Sequence, residues 1–76
     1  MIEFRNLSSD EQLFILSFAF KKTRHNSDIK NFLGWDWSKF FDIRNKLYEI
    51  GIACQSECGG RGGGTKIYWF KIIGIE

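Results

Sequence analysis

A chain of 76 residues with 43% hydrophobic and 17% aromatic side chains has room for one domain around one core, and it is too apolar to be disordered. No apolar run approaches the roughly eighteen residues of a membrane span, so no segment reads as a spanning helix. The net charge of +2 is uneven: residues 1–20 set Arg5 against Glu3, Asp10 and Glu11, whereas residues 21–76 carry ten basic against six acidic groups, a balance that permits a polyanionic partner without requiring one.

The opening "MIEFRNLSSDEQ" has no basic-then-apolar leader, so the expectation is a cytoplasmic protein with reduced thiols. "NLSSDEQLFILSFAFKKTR" predicts a first helix over about 9–24. Ser8 or Ser9 can cap it, Ser8 and Glu11 match the capping-box spacing, and Asp10 and Glu11 suit the positive end of the helix dipole. Lys21, Lys22 and Arg24 suit the opposite end. Leu13, Leu16 and Phe20 fall on one face at helical spacing, flanked by Phe14 and Phe18, with Ile15 on the more polar side.

"NSDIKNFLGW" predicts a short second helix over about 27–33. Asn26 or Ser27 would cap it, Ile29, Phe32 and Leu33 would point inward, and Gly34 would end it. "WDWSKFFDIRNKLYEIG" predicts a third over about 36–50, closed by Gly51 at the residue after the cap. Phe40, Ile43, Leu47 and Ile50 form its apolar stripe, and Ser38, Lys39, Asp42, Asn45, Lys46 and Glu49 occupy the opposite side. Trp37, Phe41 and Tyr48 make an aromatic flank that the following strands are expected to cover.

"IACQSEC" and "TKIYWFKII" are strand-like and predict one antiparallel hairpin over about 52–73 with a glycine-rich tip. That tip is not a phosphate loop. Its G-G-R-G-G-G-T-K transposes the terminal Lys and Thr of G-x-x-x-x-G-K-[ST], and a strand follows where a helix N-terminus is needed to face the anion. The dinucleotide spacing G-x-G-x-x-G fails at Thr65. A tight turn needs only about two residues, so this longer tip offers Arg61, with Lys66 at its base, either to a backbone phosphate or to solvent. On a strand over 52–58, Cys54 and Cys58 would share a face roughly 13 Å apart, beyond the reach of a disulfide. With His25 they fall short of the usual four zinc ligands, so no metal or cofactor is expected.

Three helices followed by a Gly/Arg-tipped hairpin resemble the winged helix-turn-helix domain, an α+β fold, over about Leu7 to Ile73. "NSDIKNFLGWDWSKFFDIRNKLYEIGI" is similar to its second helix, turn and recognition helix, with the K-L-x-E-x-G-[LI] signature as Lys46-Leu47-Tyr48-Glu49-Ile50-Gly51-Ile52. "CGGRGGGTKIYWFKI" looks like its wing. The flavour is that of small archaeal, plasmid or viral regulators. Two departures stand out: Arg44 occupies a position where an apolar residue often occurs, and Trp35 and Trp37 make the turn before the third helix bulky.

The resemblance implies sequence-specific binding of double-stranded DNA, with the third helix in the major groove. Ser38, Lys39, Asp42, Asn45 and Lys46 would then contact bases or phosphates, Asn26, Ser27 and Lys30 would hold phosphate at the start of the second helix, and Arg61 and Lys66 would act from the wing. Asp42 could instead pair with Lys39 or Lys46 on the helix surface. An enzyme is not expected, since His25 stands alone and no nucleophile–base or paired-carboxylate arrangement appears; nor is a small-molecule substrate. The alternative is a protein-interaction or assembly module. An apolar surplus at Phe14, Ile15, Phe18 and Trp69 would serve such a partner, or a homodimer through the aromatics of the first helix.

Overall fold

The computed structural model describes residues 1–23, 25–56 and 64–75; Arg24, residues 57–63 and Glu76 lie outside it. Helix starts and stops follow local chemistry. The Ser8 hydroxyl accepts from the Glu11 N–H at 3.2 Å and the Glu11 carboxylate accepts from the Ser8 N–H at 2.9 Å, a complete capping box. Helix α1 runs Ser9–Lys21 and is closed by Lys22, whose φ of +55° is left-handed, so it stops short of the expected residue 24 and holds only Lys21 in its last turn.

Helix α2 runs Asn26–Leu33 and ends at Gly34, where φ is +74° and the Gly34 and Trp35 N–H groups reach the Lys30 carbonyl at 2.9 and 3.2 Å. Neither Asn26 nor Ser27 caps it; the cap position is His25, which makes no side-chain cap bond. Helix α3 runs Trp37–Glu49, and the Asp36 carboxylate caps it by accepting from the Lys39 N–H at 2.8 Å. Its far end is a Schellman motif: the Gly51 N–H donates to the Tyr48 carbonyl and the Ile52 N–H to the Leu47 carbonyl, both at 3.1 Å. Gly51 supplies the positive φ, +83°, that this closure needs.

Among the described residues there are also four short strands: β1 (Ile2–Glu3), β2 (Ala53–Ser56), β3 (Gly64–Ile67) and β4 (Ile72–Ile73). β2 and β3 form the antiparallel hairpin, in register from Ala53↔Ile67 to Ser56↔Gly64. The fold is therefore three helices followed by an antiparallel hairpin, in the α+β class. "TKIYWFKII" is not one strand, however. After the Tyr68 N–H bonds the Ile52 carbonyl at 2.8 Å, Trp69–Lys71 turn through a 3-10 helix, and β4 leaves to pair in parallel with β1. An isolated antiparallel bridge, His25↔Gly64, ties the α1–α2 junction to β3.

The core gathers Phe14, Ile15 and Phe18 from α1, Ile29 from α2, and Phe40, Ile43 and Leu47 from α3. Ile52, Ala53, Ile67 and Ile72 close it from the strand side. Phe14 sits among aromatics, its ring 5.0 Å from Phe18 and 5.1 Å from Phe40. The buried face of α1 is thus rotated from the expected one: Leu13, Leu16 and Phe20 face outward, and the supposed surplus of Phe14, Ile15 and Phe18 is core. Seven apolar residues among its thirteen wrap most of the way round α1, so periodicity does not choose a face; the positions of α2 and α3 do. Phe32 is likewise exposed, stacked on Phe20 at 5.5 Å, and Ile50 is half-exposed at the cap of α3.

Candidate nucleic-acid interface

Helix α3 has three distinct sides. Phe40, Ile43 and Leu47 are buried, which turns Ser38, Lys39, Asp42, Asn45, Lys46 and Glu49 to solvent as their spacing predicts. Lys39 is held at the inner edge of this face: its Nζ lies 3.4 Å from Asp10 Oδ2 and 4.9 Å from the centre of the Trp35 ring. The ion pair thus runs to α1 and not to Asp42, which joins no ion pair among the described residues. Lys46 is exposed and joins none either.

The residues expected at the start of α2 divide. Ser27 is exposed, and Lys30 is half-buried with its Nζ 5.1 Å from the centre of the Trp37 ring, which links α2 to α3. Asn26 turns inward. It is 8% exposed, and its Oδ1 accepts from the Thr65 hydroxyl at 2.7 Å, with Thr65 itself 1% exposed. Its carboxamide oxygen therefore fastens α2 to β3. Together with the His25↔Gly64 bridge, this bond sets the hairpin against the start of α2.

On the hairpin, Lys66 is exposed on β3 with its Nζ 5.7 Å from the Tyr68 ring. Arg61 and the glycine tip, like Cys58, lie outside the described residues. At the hairpin root the Cys54 thiol donates to the Tyr68 hydroxyl at 3.0 Å. The proton held between the two groups, the repulsion between thiolate and phenolate when both ionise, and desolvation together push the Tyr68 hydroxyl above its ordinary range.

The third side of α3 differs from expectation. Trp37 and Phe41 are not covered by the strands; they are 43% and 37% exposed and stack on each other at 5.2 Å with only 20° between their planes. The Arg44 guanidinium carbon then lies 4.5 Å from the Phe41 ring centre and 4.9 Å from that of Tyr48. Trp37, Phe41, Arg44 and Tyr48 recur at i, i+4, i+7 and i+11, so one flank of the helix is a continuous column of planar groups. Lys30 caps its upper end. Sequence patterning shows the aromatic members of this flank but not the stacked arginine, whose signal was its departure from the apolar residue common at that position.

The column is not free of cost to the fold. Arg44 Nε and the Tyr48 hydroxyl are buried with no hydrogen-bond partner among the described residues. A buried polar group left unpaired costs about 1–3 kcal/mol. One terminal nitrogen of Arg44 is better served, with Nη2 donating to Asn45 Oδ1 at 3.1 Å.

No known family model, curated protein or solved structure matches the chain. The topology, three helices and a two-stranded antiparallel hairpin, is winged-helix-like in general form. No described helix is long and apolar enough to cross a membrane.

Proposed function

We propose that the chain binds double-stranded DNA sequence-specifically, as a small cytoplasmic transcriptional regulator without catalytic activity. In this proposal α3 enters the major groove, and the Gly/Arg tip of the hairpin rests on the backbone or in the minor groove. One observation carries it: α3 backs onto the core through Phe40 and Leu47 while Ser38, Asp42, Asn45 and Lys46 stand exposed together on its outer side. These side chains suit base edges. Lysine can donate to guanine, asparagine can pair with adenine through two bonds, and aspartate can accept from a cytosine amine. Ser27 in the first turn of α2 and Lys30, which the structure puts in its last turn and not at its start, are with Lys39, Lys66 and Arg61 the proposed phosphate contacts.

Binding to a randomised duplex pool tests the proposal. Affinity is expected to fall steeply with salt, as release of counterions from the phosphates requires, and a few sites are expected to survive selection. A flat salt response, or no shifted duplex, defeats it. Arg61→Ala should make the salt slope shallower by about one if the wing holds a phosphate. An unchanged slope removes Arg61 from the interface.

A second reading has its own observation. Leu13, Leu16 and Phe20 of α1, with Phe32 of α2 stacked on Phe20, leave an apolar surface exposed. A homodimer through this surface would suit a two-fold symmetric site on DNA, and the same surface would suit a different protein in an assembly module. Sedimentation at several concentrations decides between self-association and a monomer. Phe14 and Phe18, being core, are not the residues to mutate.

A further inference from the structure

The proposed readers of α3 leave unused the feature that departs most from a stable surface helix, the stacked Arg44. An arginine on an exposed helix ordinarily spends its guanidinium on water and samples many rotamers. Here the group is clamped between the Phe41 and Tyr48 rings, at 4.5 and 4.9 Å, and Nη2 is oriented further by Asn45 Oδ1 at 3.1 Å. Stacking leaves the edge of a guanidinium as its only donor surface, and with Nε buried that edge is the pair of terminal nitrogens. Two parallel N–H donors held in a fixed plane match two oxygens of one phosphate, with the ordering of a long side chain already accomplished.

We infer that Arg44 forms a preorganised seat for one backbone phosphate on the aromatic flank of α3. The inference rests on the DNA-binding proposal and adds to it a contact outside the outward polar face. A phosphate is favoured over a guanine edge by position. Arg44 shares the flank with Trp37, Phe41 and Tyr48, while the outward centre of the helix belongs to Ser38, Asp42 and Asn45. A helix lying in the major groove meets bases with its centre and the sugar–phosphate strand with its flanks. An unbranched apolar side chain could fill the same slot between the rings without leaving a buried Nε unpaired.

The test compares the full-length chain with Arg44→Met and Arg44→Lys, on a duplex selected by the parent protein and on a scrambled duplex of equal length. Arg44→Met is expected to melt at the same temperature or higher and to bind both duplexes about tenfold or more weaker by the same factor. Its salt slope should be shallower by about one. Arg44→Lys keeps the charge but not the plane, so it should retain the slope and lose part of the affinity on both duplexes. Wild-type affinity and slope in Arg44→Met would overturn the inference alone. So would a loss confined to one base pair of the selected site, which would make Arg44 a base reader, or a lower melting temperature in both variants, which would make it structural. Failure of the parent protein to bind any duplex would instead remove the DNA-binding proposal, and the phosphate seat with it.

Discussion

Helices α1 and α3 are both thirteen residues long and both are capped by an oxygen-bearing side chain, yet they obey their sequences differently. α3 carries enough charge on one side that only one rotation buries its apolar stripe, and Phe40, Ile43 and Leu47 are buried as their spacing requires. α1 is apolar through Leu13, Phe14, Ile15, Leu16, Phe18 and Phe20, so several rotations would bury a similar area. Its neighbours select Phe14, Ile15 and Phe18 and leave Leu13 and Phe20 at 48% and 73% exposure. A helix with a polar face announces its orientation; one without it is oriented by what packs against it.

Substitutions on the two helices test that contrast directly. The largest expected effect is in α1, where Phe14→Ala opens a cavity between Phe18 and Phe40 and should cost about 3–5 kcal/mol in denaturant unfolding. For a domain this small, such a loss approaches the whole stability. A cost below about 1 kcal/mol would mean that Phe14 is not the centre of the core.

Next comes the anchor between α2 and β3. Thr65→Val leaves Asn26 Oδ1 buried without its donor and should destabilise by about 1–3 kcal/mol. Asn26→Asp offers a sharper version, since it buries a carboxylate against the same hydroxyl and should make stability fall as pH rises through that group's folded-state pKa, which burial would raise. If both substitutions are neutral, the hairpin is held to α2 by other contacts.

Smaller again is the cap of α3. Asp36→Ala removes the acceptor for the Lys39 N–H and should cost about 1 kcal/mol, comparable with Ser8→Ala at the start of α1. Equal costs at the two caps would show that local starts work alike in both helices even though their faces do not. The smallest effect belongs to the outward side of α1: Leu13→Ser should change stability by no more than about 0.5 kcal/mol while reducing any concentration-dependent self-association. A cost for Leu13→Ser matching that of Phe14→Ala would reverse the assigned faces.

The same physics separates what was legible at the candidate interface from what was not. The outward set Ser38, Lys39, Asp42, Asn45 and Lys46 follows from helical spacing because its members are polar on a helix with an apolar opposite side. Asn26 reads as a cap or phosphate contact, since asparagine favours helix starts, but a partner 39 residues away, Thr65, claims its side chain. No local pattern foretells that bond. Trp37 and Phe41 read as a flank for the strands to cover, but they stack on each other at the surface with Arg44 over the Phe41 ring.

By itself the sequence determined the order of the three helices and the hairpin, the capping box at Ser8, the stops at Gly34 and Gly51 and the polar side of α3. All of these depend on residues within a few positions of one another. Only the tertiary structure decided which face of α1 is buried and that "TKIYWFKII" divides between the hairpin and a parallel pair with Ile2–Glu3. It alone turned Asn26 inward and gave Arg44 a place between two rings. The reason is that these choices compare the burial of apolar and polar groups across the whole chain, and residues distant in sequence set the terms of that comparison.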